Sequence, residues 1–180
     1  MEDVILRKAC VRDADAILEL VNDLASRQVM LPRSPASTIE HIRDFTVAEI
    51  DGAFAGCAAL HVTWTDLAEV RSLAVHPEVQ KRGVGRRLVE ALIDEAHVLG
   101  IAKVFAFTYV QGFFEKLGFR TVEHATMPHK VFQDCVNCPK FHRCDEIAME
   151  RVLRENAEVH LRGPLSRPLG ALPMPRRVTS

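Results

Sequence analysis

Three groups of residues in this chain could do chemistry. The first is Gln80-Lys81-Arg82-Gly83-Val84-Gly85, where two glycines allow a tight turn that leaves N–H groups unobstructed at the start of a helix, a geometry that binds anions. Arg82, Arg86 and Arg87 add positive charge there, which opposes the helix dipole unless a bound polyanion offsets it. The second group is carboxylate and guanidinium. Side chains alternate along a strand, so Glu69, Arg71 and Leu73 are expected on one face and Val70, Ser72 and Ala74 on the other. Arg33 projects from Met30-Leu31-Pro32-Arg33-Ser34-Pro35, a loop stiffened by its two prolines. A guanidinium fork matches a carboxylate bidentately, which makes Arg33 and Arg71 candidates for holding a substrate carboxylate, against the commoner fate of arginine as a solvated surface charge. The third group is Cys135-x-x-Cys138-x-x-x-x-x-Cys144. Three thiolates with His142, or with Cys10 or Cys57, could complete a tetrahedral zinc site; free thiols are the competing reading, and a redox pair is a further one.

The elements that would position these groups follow from pattern. A strand is expected over 4–9, then a helix capped by Asp13 in which Ala14, Ile17, Leu18, Val21 and Leu24 share a face. A second helix is expected after Pro35, with a Ser37-x-x-Glu40 capping box and with Ile39 and Ile42 turned inward. Asp51-Gly52 is a two-residue turn signal joining strands over 45–50 and 53–62, the second crowded with small residues from Ala53 to Ala59. The strand over 70–75 stops at His76-Pro77, since proline has no N–H to offer a ladder. Val84, Leu88, Val89, Leu92, Ile93 and Ala96 then recur as one apolar helix face ending near Gly100. A strand over 103–108, a short helix over 112–117 and a last strand over 121–125 complete the pattern, and 147–156 reads as helical. An antiparallel meander feeding a strand–loop–helix predicts an α/β mixed sheet with helices on both faces.

The order of strand, proline break, Gln-x-x-Gly-x-Gly and helix, with Glu69 eleven residues before Gln80, resembles motif A of the GNAT acetyltransferase superfamily. Phe113-Phe114-Glu115-Lys116-Leu117-Gly118-Phe119 resembles the signature in that fold's second half. The resemblance runs from about residue 5 to 150 and implies a GNAT fold, taken as a domain over 1–160 with 128–150 as a cysteine-bearing segment; it leaves uncovered the tail over 161–180, which is basic by composition. It also implies that the loop amides hold the pyrophosphate of acetyl-CoA, making Gln80, Lys81, Arg82, Gly83, Val84, Gly85 and Arg86 cofactor-binding residues. Backbone N–H groups of Leu73, Ala74 and Val75 would polarise the thioester oxygen if the strand bulges there. Glu69 takes the position of the superfamily's general base. Phe114 stands where related enzymes often carry a tyrosine, so Tyr109, the chain's one tyrosine, is the substitute acid, and the thiolate could also leave unassisted. His61, His76 and His129 are weaker acid–base candidates.

Leu31-Pro32-Arg33-Ser34, the segment 68–77, Phe107-Thr108-Tyr109 and Lys130-Val131-Phe132 with Asp134-Cys135 narrow the resemblance to short amino-acid N-acetyltransferases of the N-acetylglutamate synthase type. That implies L-glutamate as acceptor, at the opening of arginine biosynthesis. The alternatives are another amine, such as a polyamine, an antibiotic or a protein N-terminus, and a non-catalytic acyl-CoA- or metal-binding module.

Composition sets the outer limits. At 180 residues and 48% hydrophobic, the chain is one domain with ample core. A formal charge of −1 gives no global attraction to nucleic acid or an anionic membrane, and no apolar run reaches a spanning length of roughly 18 residues. Five cysteines without a secretory leader argue for a cytoplasmic protein with no disulfide framework. The last 19 residues, 162–180, hold four prolines and four arginines with no hydrophobic period, the composition of a disordered tail. A homodimer stays open.

Overall fold

The computed structural model describes residues 3–127 and 143–154. A seven-stranded mixed sheet in the order β1-β2-β3-β4-β5-β7-β6 carries the site. β1 (Val4–Lys8), β2 (Phe45–Ile50), β3 (Ala53–Trp64) and β4 (Leu67–Val75) form the antiparallel meander. β5 (Lys103–Thr108) joins β4 in parallel, and β7 (Ile147–Val152) inserts between β5 and β6 (Arg120–Thr121). α1 (Ala14–Ser26) and α2 (Pro35–Glu40) precede β2; α3 (Val84–Val98) is the crossover from β4 to β5, and α4 (Gln111–Glu115) follows β5.

Each face of the sheet has its own core. Val84, Leu88, Val89 and Leu92 of α3 pack on Leu60, Ala68, Val70 and Val104, with Phe114 of α4 joining them. On the opposite face Ile17, Leu20, Val21 and Leu24 of α1 pack on Phe45, Val47, Cys57, Ala59 and Ala74. Leu20, rather than Leu18, completes the buried stripe of α1.

Several expected boundaries shift for identifiable reasons. Within the segment expected as helical at 147–156, Ile147–Val152 is strand β7 and 155–156 lie outside the described residues; hydrogen bonding to β5 and β6 on both sides outweighs the helix preference of Ala148, Met149, Glu150 and Arg151. The expected last strand over 121–125 shrinks to the pair Arg120–Thr121. Ser34, not Ser37, caps α2, accepting from the Ser37 N–H, and Ile39 is exposed while Ile42 and Thr38 are buried. Asp13 precedes α1 without capping it; its carboxylate instead accepts from both ends of the Arg7 guanidinium, at 2.7 and 2.8 Å, and from the Cys10 N–H at 2.8 Å.

Face alternation also fails at one place in β4. Cys57 pairs with Ala74 and Ala59 with Arg71, so Ser72 and Leu73 together oppose the single residue Ala58. This is a β-bulge, with Ser72 at φ 53°. It moves Leu73 onto the α3 face with Val70 and Val75, so Leu73 does not share the face of Glu69 and Arg71 as strict alternation predicts.

Candidate active site

The loop from β4 to α3 is built to leave amides exposed. Pro77–Val79 makes a 3-10 turn, Gln80 Nε2 ties back to the Val75 carbonyl at 3.1 Å, and Lys81 and Gly83 take φ of 64° and 84°. Gly83 caps α3 in the left-handed region without a side-chain bond, which glycine adopts at little cost. The Arg87 N–H is the first to return to a carbonyl, that of Gly83 at 3.0 Å, and among the described residues Gly83, Val84, Gly85 and Arg86 donate no backbone hydrogen bond. Lys81, Arg82, Arg86 and Arg87 are exposed around them, with Arg86 paired to Glu90 at 2.7 Å. Bare amides, the positive helix end and four cations suit a diphosphate.

Beside this loop the sheet opens. β4 and β5 pair only at Leu67↔Lys103, Ala68↔Val104 and Glu69↔Phe105; past Glu69 the two strands have no registered pairs. The β4 backbone from Val70 to Val75 therefore turns one polar edge to a slot, and the bulge at Ser72 and Leu73 lies within it. Gly56 across from Val75 lets β3 approach closely, since a Cβ there would lie 2.6 Å from the Ala74 carbonyl oxygen. Tyr109 stands at the end of β5, its hydroxyl donating to Asp145 at 2.8 Å. Phe114 is buried among Phe113 and Phe119, at ring distances of 5.2 and 5.1 Å, so α4 presents no hydroxyl at that position.

The charged groups gather on the α1 face. Glu69 is buried, its side chain 4% exposed, with Oε2 3.8 Å from Arg71 Nη1. Arg71 also reaches Asp44 Oδ2 at 3.9 Å, and the same oxygen receives His61 Nδ1 at 2.7 Å. Burial pushes the Asp44 carboxyl up, but the His61 hydrogen bond and the charges of His61, Arg71 and His41 outweigh it and leave the pKa below the ordinary value. Arg33 arrives from the α1–α2 loop. Asn22 clamps its backbone on both sides, at 2.9 and 3.1 Å; its guanidinium donates to Ser72 Oγ and Ser37 Oγ, each at 3.0 Å, and lies 5.4 Å from the Phe45 ring centroid. Arg33 and Arg71 thus flank the bulge from different parts of the chain.

His41, Asp44 and His61 each bring a donor atom within 4.8 Å of the others. The Arg71 cation 3.9 Å from the Asp44 carboxylate disfavours a second cation there, and His41 Nδ1 lies 2.9 Å from the Ser37 carbonyl. Of the cysteine group, Cys135 and Cys138 lie outside the described residues, as do His129, His142 and the 161–180 tail. Cys144 is exposed, 3.8 Å from His124 Nε2. Cys10 donates to Asp13 at 3.2 Å, and Cys57 is fully buried in β3, burial pushing its thiol up to about 12. His76 is exposed beside Glu78. Asp44, His41 and Asn22 escape the sequence reading, which sees Ser37 only as a capping residue and Ser72 only as a strand position, because their site partners are brought together by the fold and not by local pattern.

The family model described as the acetyltransferase (GNAT) family matches residues 15–119. The chain belongs to the GNAT acetyltransferase family. This acetyltransferase is 42% identical, over 84% of its length and 97% of the relative's, to an uncharacterized N-acetyltransferase of Chlorobaculum tepidum. It is 34% identical to an amino-acid acetyltransferase of Mycobacterium tuberculosis, over 72% of its length and 76% of the relative's. A Mycobacterium tuberculosis protein in complex with CoA superposes with a TM-score of 0.73 at 28% identity, covering 83% of this chain and 99% of the other. An N-acetylglutamate synthase of Neisseria gonorrhoeae, complexed with coenzyme A and N-acetyl-glutamate, superposes at 0.75 with 29% identity; the match covers 86% of this chain but 36% of the synthase. The protein is an acetyl-CoA-dependent N-acetyltransferase. Among its described residues no helix is long and apolar enough to cross a membrane.

Proposed function

We propose that this acetyltransferase acylates the α-amino group of L-glutamate, giving N-acetyl-L-glutamate, the opening step of arginine biosynthesis. The observation that carries the reading is the convergence of Arg33 and Arg71 on the Ser72 bulge, on the face that holds Glu69. Glutamate offers two carboxylates and one amine, and two guanidinium groups beside a buried carboxylate match that charge pattern. The amino-acid acetyltransferase and N-acetylglutamate synthase relatives support the same acceptor class.

In this reading the amides at 83–86, with Gln80, Lys81 and Arg82, hold the diphosphate of acetyl-CoA, and the thioester enters the slot between β4 and β5. The amides of Leu73, Ala74 and Val75 at the bulge polarise its carbonyl oxygen. Glu69 accepts the proton of the acceptor ammonium, the freed amine attacks the carbonyl carbon, the C–N bond forms and the C–S bond breaks. Tyr109 supplies a proton to the departing thiolate, or the thiolate leaves as such, a thiol being a tolerable leaving group near neutral pH. Free-thiol release from acetyl-CoA in the presence of each of the twenty amino acids tests the acceptor. Glutamate is expected to give the largest kcat/KM, and a protein that releases CoA with other amino acids but not with glutamate would overturn the assignment.

A further inference from the structure

His61 and Asp44 form a pair that the acetyl-transfer chemistry above does not use. His61 is the cross-strand partner of Glu69 in the β3–β4 register, and directly opposed residues of an antiparallel pair hold their Cβ atoms about 4.5–5.5 Å apart. Its Nδ1 lies 2.7 Å from Asp44 Oδ2. An ionised carboxylate can only accept, so Nδ1 is the donor, and in the neutral form of the ring Nε2 is the nitrogen that can take a proton. The exposures differ in a telling way: the Glu69 side chain is 4% exposed, whereas those of His61 and Asp44 are 22% and 26% exposed. A carboxylate that takes a proton on every turnover must also lose one, and Glu69 is closed off from solvent while its neighbour is not.

We propose that the Asp44–His61 pair is the proton outlet of Glu69. The proton leaves the ammonium for Glu69, passes directly or through one water to His61 Nε2, and departs to solvent, while the transient imidazolium is stabilised by Asp44. The count balances: one proton leaves the ammonium by this route, and the second proton lost on amide formation ends on the CoA thiol. The charged groups around His61 are Asp44 and His41 from the segment before β2, the His41 ring meeting it edge-on at 5.2 Å, and Glu69 and Arg71 from β4. Lys8 of β1 reaches the Asp44 carbonyl and not its carboxylate. Asp44 acts through His61 and is a positioning residue.

The inference rests on Glu69 as the base, so the experiment includes Glu69→Gln. Steady-state thiol release is followed from pH 5.5 to 9 for wild type, Glu69→Gln, His61→Gln and Asp44→Asn, with whichever amino acid the wild type turns over best. Expected for His61→Gln is a fall in kcat of about 100-fold, little change in acceptor KM, loss of the acidic limb of the wild-type profile, and partial recovery with added imidazole. Asp44→Asn, which leaves the imidazole in place, is expected to show the same profile change more weakly, and it carries the test if His61→Gln does not fold. CoA-induced shifts in melting temperature report folding in each variant. Wild-type kcat and an unchanged pH profile in either folded variant, or a loss confined to KM, would overturn the outlet while an inactive Glu69→Gln preserves the base. An active Glu69→Gln would overturn both, and failure of glutamate as acceptor would touch neither.

Discussion

Arg33 is held from three sides before any acceptor arrives. Asn22 fixes its backbone, Ser37 and Ser72 accept from its guanidinium, and the Phe45 ring lies beneath it. That rigidity lowers the entropy lost when a carboxylate binds, which is the main advantage of a pre-set guanidinium fork. Arg33→Ala is therefore expected to raise the acceptor KM or lower kcat/KM by about 1.5–3 kcal/mol, roughly 10- to 150-fold, and to leave the KM for acetyl-CoA unchanged. Initial rates with either substrate varied would show this, and an equal loss for acetyl-CoA would point to disturbance of the bulge instead. A second residue acts on stability alone. The Arg7 hydrogen bonds, helped by the Cys10 N–H and opposed by burial, hold the Asp13 carboxyl far below the usual range. A carboxyl whose folded pKa lies under its unfolded value stabilises the fold above the unfolded value and loses that contribution as pH falls through the folded one. Asp13→Asn is expected to lower the melting temperature at pH 7 by several degrees, from about 1.5–3 kcal/mol. Its deficit against wild type should narrow as the pH drops below about 4. At this scale the sequence was readable for types and not for partners: Arg33 and Arg71 were visible as guanidinium groups, but Ser72 lies 39 positions from Arg33 and only the fold joins them.

The bulge in β4 is the element on which the site turns. An unbroken strand would have carried Leu73 onto the charged face beside Arg71. With Ser72 and Leu73 both opposing Ala58, Leu73 returns to the α3 core and Ser72 stays within reach of Arg33. Gly56 makes room for this, with no space for a Cβ 2.6 Å from the Ala74 oxygen. Gly56→Ala must push β4 away, at a cost of about 1–3 kcal/mol typical of overpacking. Because the displaced residues adjoin the bulge, kcat should fall alongside the melting temperature, and a variant that lost stability with full kcat would uncouple the two. The bulge was foreseeable only as a condition, since φ 53° at a serine leaves no composition signal. β7 was hidden for a different reason: Ala148, Met149 and Glu150 are all buried between two neighbouring strands, which erases the alternation that marks a half-exposed strand and leaves residues with helix preference. The strand over 103–108 and the hairpin at Asp51-Gly52 were legible because turn chemistry and alternation agreed there.

At the scale of the whole molecule, two cores on opposite faces hold a sheet that is closed at one end of the β4–β5 seam and open at the other. The open end exposes strand edges and helix-start amides, those of Gly83, Val84, Gly85 and Arg86, that have no backbone partners among the described residues. Binding of CoA there would satisfy groups contributed by both halves of the sheet, so its effect should be global. A ligand at about 100 times its Kd adds roughly 2.7 kcal/mol to unfolding, which for a chain of this size is about 5–11 °C in melting temperature. The shift should shrink with added salt, because Lys81, Arg82, Arg86 and Arg87 face solvent and are screened. Gly83→Val separates the loop from the remainder: a β-branched residue at φ 84° is strained wherever it has space, and a Cβ at Gly83 meets nothing within 4 Å. The variant should fold with a modestly lower melting temperature yet show little shift with CoA. Differential scanning fluorimetry of both proteins at two salt concentrations decides this, and an undiminished CoA shift in Gly83→Val would mean that the diphosphate is held elsewhere.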